Sequence, residues 1–248
     1  MRKPIIGVTE RGDASIDLGW AEKLSQVDGA IIISKNLTPQ LRALLLAHAG
    51  KAIFHMSVTG WGGFSLEPNL PGWHESLARL QGLVSAGFPR DHIVVRVDPI
   101  IPDDCGISIA SVVLHAAYSS GFRRARVSVL DGYPHVRERF REAGVDWPYG
   151  ERMQASDEHF ERVDAMLRRS KAEHPGLVIE TCAEPRLKSV RHCGCVSEYD
   201  LNILGIEFDD VDAAGYQRPG CMCYSGKREL LNGSGQCPYK CLYCYWKS

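Results

Sequence analysis

Short runs of apolar, β-branched residues alternate with longer amphipathic stretches between residues 4 and 182. An alternation of this kind is typical of βα units arranged around a parallel sheet. The pattern predicts six strands, at residues 4–9, 30–34, 52–58, 92–97, 126–130 and 177–182. We therefore expect an α/β fold in which helices cover a parallel sheet.

Two segments between these strands carry clear helical signals. Thr38 can cap a helix, Pro39 suits its first turn, and Gly50 marks its end. Residues 153–171 place an apolar stripe at helical spacing, made of Phe160, Val163, Met166 and Leu167. Both helices are expected to pack against the sheet.

Length and composition fit one α/β domain followed by a different kind of segment. The 248 residues match the usual size of a (β/α) barrel, and 44% hydrophobic residues suffice for a sizeable core. We expect a TIM-barrel-like (β/α) core, complete or incomplete, at residues 1–182. Residues 183–248 lose the periodicity and hold seven of the nine cysteines, which predicts a metal-organised, Fe–S-binding segment packed on the barrel mouth.

The formal net charge of −1 neither demands nor excludes a nucleic-acid partner. The apolar stretch near Met1 is too short for a signal peptide or a membrane span. We therefore expect a cytoplasmic protein without a membrane partner, whose cysteines are reduced ligands or buried thiols.

Basic side chains cluster at three places in the second half of the chain. These clusters usually mark solvated helix faces, and a nucleic-acid backbone is the less favoured alternative. They comprise Arg123, Arg124 and Arg126, then Arg137, Arg139 and Arg141, then Arg168, Arg169 and Lys171.

Three cysteines near the C-terminus carry the strongest chemical signal. Cys237, Cys241 and Cys244 are spaced four and three residues apart, so one short loop can bind three corners of a four-iron, four-sulfur cluster. The fourth iron is then open to a substrate or cofactor. Zinc is the alternative, although closed zinc sites prefer four ligands and cysteine pairs two residues apart.

This motif, with Tyr243 before the third cysteine, resembles that of the radical S-adenosylmethionine superfamily. The resemblance implies that S-adenosylmethionine chelates the open iron and is cleaved by one electron, and that the resulting radical abstracts hydrogen from a substrate. It also implies an external electron donor such as ferredoxin or flavodoxin. Cleavage of a different sulfonium bond, with aminocarboxypropyl transfer, stays open, and so does the substrate, a nucleobase or a small metabolite.

The whole chain also resembles the bacterial DUF1848 family, whose cysteines lie at the C-terminal end. Thr9-Glu10-Arg11-Gly12-Asp13 matches that family's opening only loosely. The better matching pieces are Glu67-Pro68-Asn69, Arg96-Val97-Asp98-Pro99-Ile100, Cys182-Ala183-Glu184, Gln217-Arg218, Cys221-Met222-Cys223 and the terminal triad.

Five further cysteines form a candidate second metal site. The family likeness favours Cys182, Cys195, Cys221 and Cys223 as ligands, with Cys193 as a spare. A second Fe–S cluster, a zinc ion and simple buried thiols remain alternatives.

Polar residues at the predicted strand ends complete the candidate site. Arg96 and Asp98 are predicted to bind S-adenosylmethionine, Arg96 through the methionyl carboxylate, together with an adenine contact from Tyr243. Arg96, Asp98 and Glu184 are the candidate catalytic residues. An Arg96–Asp98 pair that only stabilises the fold is the alternative.

The residues thus favour a radical S-adenosylmethionine enzyme. The rival from another class is a non-catalytic Fe–S or zinc protein that senses redox state or passes electrons.

Overall fold

The computed structural model describes residues 3–208, 221–233 and 237–246 of the chain. Eight strands form one sheet: β1 (Ile6–Val8), β2 (Gly29–Ser34), β3 (Ala52–Ser57), β4 (Ile93–Ile100), β5 (Arg124–Val129), β6 (Val178–Thr181), β7 (Arg191–His192) and β8 (Lys227–Glu229). Each of the six predicted strands is present. The last two strands were not predicted, because two or three residues are too few to establish a periodicity.

Within the described ranges, six α-helices accompany the sheet: α1 (Pro39–Ala47), α2 (Trp73–Ser85), α3 (Asp104–Ser119), α4 (Pro134–Glu142), α5 (Asp157–Glu173) and α6 (Glu198–Ile203). The predicted cap of α1 is confirmed, since the Thr38 hydroxyl accepts a hydrogen bond from the Leu41 amide at 3.2 Å. Helix α5 begins later than predicted, because a capping box between Ser156 and His159 fixes its start.

All neighbouring strands in the sheet are parallel, in the order β7-β6-β5-β4-β3-β2-β1-β8. Strands β1 to β7 therefore follow the chain order, and β8 returns to pair with β1. The carboxyl ends of parallel strands meet at one edge of the sheet, which we call the carboxyl edge. Strands β7 and β8 are the two outer strands among the described residues.

The two faces of the sheet are buried by different partners. One face packs against the helices, through core residues such as Phe54, Val95, Leu41 and Val163. The other face contributes Ile6, Val8, Ile31, Ile53 and Val94 to a second cluster that also contains Val196, Leu201 and Tyr224. Because this cluster joins β1 to β4 with residues beside β7, α6 and β8, the sheet curls around a shared interior.

Buried charges occupy the same interior on the β5 side. The guanidinium of Arg124 lies 2.8 Å from Glu180 Oε2 and 2.6 Å from Asp200 Oδ1, while Arg126 lies 3.5 Å from Glu180 Oε2. Each of these four residues is 3% exposed or less. The prediction of a solvated helix face is wrong for Arg124 and Arg126, because strand alternation in β5 points both side chains into the curled sheet.

None of the described helices combines the length and apolarity that crossing a bilayer requires.

Candidate metal and cofactor site

Residues 237–246, which we call the triad loop, lie across the loops that follow β1 and β3. The Tyr239 hydroxyl is 2.6 Å from the Ser15 hydroxyl, beyond β1. Asn69, beyond β3, donates its side-chain amide to the carbonyl of Pro238 at 2.7 Å. These contacts hold the loop at the carboxyl edge of the sheet.

Side chains of helix α4 bind the C-terminal end of the triad loop. Arg139 donates to the carbonyl of Trp246 at 2.6 Å and to the carbonyl of Cys244. His135 Nε2 lies 2.8 Å from the carbonyl of Tyr245. The prediction of a solvated face is therefore also wrong for Arg139, whose guanidinium binds the backbone around the third cysteine.

The three thiols of the triad loop differ in exposure. Cys237 is exposed, Cys241 is buried and Cys244 is intermediate. A left-handed backbone at Lys240, with φ of 53°, turns the chain before Cys241. Each thiol interacts electrostatically with the other two. Yet the three sulfurs do not form a group within 4.8 Å of one another in the part of the chain that the structure describes.

Buried charges lie directly beside Cys241. Burial raises the pKa of the Cys241 thiol to about 12, and the positive charge of Lys35 opposes that rise. The Lys35 ammonium donates to Glu67 Oε1 at 2.9 Å and to the Tyr243 hydroxyl at 2.5 Å. Burial therefore favours the neutral thiol, and metal binding at Cys241 would require loss of its proton.

The structure places Tyr243 in a buried polar network. Its hydroxyl donates to Glu67, which also accepts from the Thr59 hydroxyl at 2.7 Å. Lys35 Nζ lies 4.7 Å from the centre of the Tyr243 ring. Sequence reasoning did not select Lys35, whose only signal is its position directly after an apolar strand. The adenine contact of Tyr243 stays a prediction.

Arg96 and Asp98 form an ion pair at the carboxyl end of β4. The Ser128 hydroxyl donates to the second oxygen of Asp98. Although burial works in the opposite direction, Arg96 and Ser128 hold the pKa of Asp98 below its ordinary value. The side chains are 17% and 25% exposed, so the guanidinium is fixed but reachable.

This ion pair lies between the triad loop and the other cysteines. The Tyr245 hydroxyl of the triad loop interacts electrostatically with Asp98, Glu10 and Cys244. Arg96 itself interacts electrostatically with Cys195. The ion pair is thus coupled to Cys195 and to the Tyr245 side chain of the triad loop.

Three of the remaining cysteines converge on one point, and Cys195 lies beside two of them. The sulfurs of Cys182, Cys221 and Cys223 all lie within 4.8 Å of one another. The Cys195 thiol hydrogen bonds with those of Cys182 and Cys223. We call these four residues the compact group. Cys193 points elsewhere, with its sulfur 3.4 Å from Arg126 Nη2.

A buried lysine connects the compact group to β1. Lys227 Nζ lies 2.7 Å from Glu10 Oε2 and 3.5 Å from the sulfur of Cys223. Burial would lower the pKa of Lys227, but the Glu10 carboxylate outweighs it and the pKa is raised. Lys227 therefore keeps a positive charge beside the thiols. The sequence offered no signal for this residue, which is a single lysine in an unpredicted strand.

Comparison with known families identifies the family to which almost the whole chain belongs. The sequence model described as "Domain of unknown function (DUF1848)" matches residues 19–246. The chain belongs to the DUF1848 family. No curated protein matches the DUF1848 chain.

The motifs of this DUF1848 protein meet at the carboxyl edge. Glu67 and Asn69 contact the triad loop, and the Arg96–Asp98 pair is coupled to the compact group. The Gln217-Arg218 piece lies outside the described residues. Glu184 is buried at the ends of β5 and β6, where its Oε1 accepts from the Val129 amide at 3.4 Å. Its catalytic role stays a prediction.

Proposed function

We propose that this DUF1848 protein binds a four-iron, four-sulfur cluster through Cys237, Cys241 and Cys244 and reductively cleaves S-adenosylmethionine. The observation that carries the proposal is the position of the triad loop, which hydrogen bonds to residues beyond β1 and β3 and carries Tyr245 near the Arg96–Asp98 pair. A metal-binding loop and a fixed guanidinium together suit an amino-acid cofactor that carries both a chelating end and a carboxylate.

The three thiols fit such a cluster in number and in their spacing along the chain. A single metal ion gathers its ligands tightly, whereas a cuboidal cluster binds each thiolate at a different iron. The triad sulfurs do not form a compact group within the described ranges. Lys35 adds a positive charge beside Cys241, which favours the bound thiolate.

Cys237, Cys241 and Cys244 would hold the cluster, which would supply the electron for cleavage of a sulfur–carbon bond of S-adenosylmethionine. The electron must come from an external donor such as ferredoxin or flavodoxin. The protein's own residues would bind and orient the cofactor. Arg96 would take the methionyl carboxylate through paired N–H donors, and Asp98 would hold Arg96 in place or accept a ribose hydroxyl.

Aromatic side chains of the triad loop would bind the adenine. Tyr243 is buried, and its hydroxyl fixes the loop to Glu67. Tyr245 is 54% exposed, and its ring lies 5.3 Å from that of Trp246. This pair, with Tyr245 exposed and Trp246 partly buried, offers a flat surface for stacking.

The strand order supports a (β/α) barrel with this site at its mouth. Consecutive parallel strands that curl around one interior, with β8 beside β1, follow the order of a barrel. Active sites of such barrels lie at the carboxyl ends of the strands. The substrate, a nucleobase or a small metabolite, would enter at this edge.

The test uses anaerobically reconstituted, reduced protein. Electron paramagnetic resonance spectra are recorded with and without S-adenosylmethionine, and 5′-deoxyadenosine is assayed in the same tube. The proposal predicts that the cofactor changes the cluster signal and that 5′-deoxyadenosine forms. Cys105→Ala is the matched control, because Cys105 is exposed and outside both cysteine groups.

An unchanged signal without any cleavage product would contradict the proposal. The triad would then serve electron transfer or structure, as in a non-catalytic Fe–S protein. Formation of methylthioadenosine in place of 5′-deoxyadenosine would instead indicate that a different sulfonium bond is broken.

A further inference from the structure

We propose that Cys182, Cys195, Cys221 and Cys223 bind a single Zn²⁺ ion, and that this ion joins the two outer strands of the sheet. The inference concerns the compact group alone. It does not depend on whether the triad loop binds a cluster, and the experiments below separate the two.

The distances between sulfurs favour one ion over a cluster. Four thiolates at about 2.3 Å from one zinc sit at the corners of a tetrahedron with edges of about 3.8 Å. Cys182, Cys221 and Cys223 already lie within 4.8 Å of one another, and Cys195 contacts two of them. A four-iron cluster would require each of these sulfurs to reach a different iron, which this packing does not permit without spreading the group.

The charges around the compact group suit a fully deprotonated site. One Zn²⁺ with four thiolates carries two net negative charges. Lys227 Nζ lies 3.5 Å from the sulfur of Cys223. Arg96 and Arg126 both interact electrostatically with Cys195. Lys227 and Arg126 are buried and Arg96 is half-buried, and each is already paired with a carboxylate. The same positive charges would stabilise a negatively charged centre beside them.

The four ligands come from opposite margins of the sheet. Cys182 directly follows β6, Cys195 follows β7, and Cys221 and Cys223 precede β8. Within the described residues β7 and β8 are not neighbours in the sheet. An ion held by these cysteines would therefore connect margins that the strand ladder leaves unjoined.

The backbone already brings these margins into contact. A Cβ added at Gly194 would lie 2.4 Å from the carbonyl oxygen of Met222, so only glycine fits there. The Cys195 amide donates to the sulfur of Cys223 at 3.4 Å. A closed site with four thiolates has no open position for substrate, so the expected role is structural.

The first experiment counts zinc and iron per chain after anaerobic purification. The triple variant Cys237→Ala/Cys241→Ala/Cys244→Ala should retain one zinc, and the double variant Cys182→Ala/Cys223→Ala should lose it. Cys193→Ala is the matched control, because Cys193 is buried nearby and should leave zinc unchanged. Iron bound to the triple variant in place of zinc would overturn the proposal.

A second measurement avoids the risk that the double variant does not fold. Cobalt(II) replaces zinc in the triple variant, and its absorption spectrum reports the ligands. Tetrahedral tetrathiolate bands support the proposal, whereas octahedral or oxygen-rich coordination overturns it.

A third experiment tests whether the zinc ion connects the segments beside β7 and β8. The triple variant is treated with a zinc chelator and then with a protease at low concentration. Cleavage within 193–197 and 221–224 should become several-fold faster when zinc is removed and should return to the initial rate when zinc is restored. An unchanged cleavage pattern would overturn the joining role.

Discussion

The triad loop and the compact group both consist of cysteines, but they differ in how far apart these cysteines lie along the chain and in space. The triad loop takes three thiols from residues 237–244, and their sulfurs do not gather within 4.8 Å. The compact group takes its thiols from three separate parts of the chain and brings three of them within that distance. Ligands that are close in sequence can thus be spread in space, and distant ligands can be close.

We propose that this difference corresponds to a difference in role, with the triad serving catalysis and the compact group stabilising the fold. A loop anchored by its own backbone contacts can leave a coordination position open, as we propose for the triad. Ligands drawn from β6, β7 and the approach to β8 would instead tie elements of the fold together. We therefore expect damage to the triad to remove activity and damage around the compact group to reduce stability.

The largest expected effect is that of Cys241→Ala. Loss of the buried ligand should abolish iron binding and the formation of 5′-deoxyadenosine, while zinc stays at one per chain. Metal analysis and product assay on the same sample check this prediction. Equal loss of zinc would mean that the two groups are not independent.

Asp200→Ala should give the next largest effect. It leaves Arg124 without its 2.6 Å partner inside the curled sheet. Breaking a buried ion pair typically costs about 3–5 kcal/mol of the free energy of unfolding. Urea unfolding measures the loss. The control is Glu75→Ala, whose surface pair with Arg79 should be worth less than about 1 kcal/mol. Equal losses would show that the interior pairs do not stabilise the fold.

Arg96→Lys should weaken S-adenosylmethionine binding without removing the cluster. Lysine keeps the charge but loses the paired donors, and a lost charged hydrogen bond of about 1.5–3 kcal/mol corresponds to roughly 10- to 100-fold in affinity. Titration of the cofactor-dependent resonance signal measures the affinity. Arg79→Lys, on the surface of α2, is the control. Unchanged affinity would assign the Arg96–Asp98 pair a purely structural role.

Lys227→Met should give the smallest effect, and only at the compact group. It removes the positive charge beside Cys223 while keeping the aliphatic length. Loss of a partner next to metal ligands lowers affinity by at least about tenfold. Competition with a coloured chelator measures zinc affinity. Iron content and 5′-deoxyadenosine formation should not change, and a parallel loss of iron would contradict the separation of the two groups.

The sequence predicted those parts of the molecule that have a local signature. The six strands and the cap at Thr38 each depend on residues within a short window. The convergence of Cys182 with Cys221 and Cys223 depends on the curl of the sheet, so spacing alone could not reveal it. The resemblance to the family is the only sequence signal that groups Cys182 with Cys221 and Cys223.

Buried charge was the hardest feature to predict. Arg124 and Arg126 look like a basic surface cluster in the sequence. Their partners Glu180 and Asp200 lie more than fifty residues away, so no nearby residue indicates that the two arginines are buried. Lys35 and Lys227 are single lysines without a pattern. Their positions follow from which strand ends meet at the carboxyl edge, and that is a property of the fold.

The most direct test of the two-centre account is X-ray absorption at the iron and zinc edges of one reconstituted sample. The account predicts zinc with four sulfur neighbours at about 2.3 Å, and iron with sulfur and iron neighbours whose first shell changes when S-adenosylmethionine is added. Zinc with fewer than four sulfurs, or an iron shell that S-adenosylmethionine leaves unchanged, would contradict it.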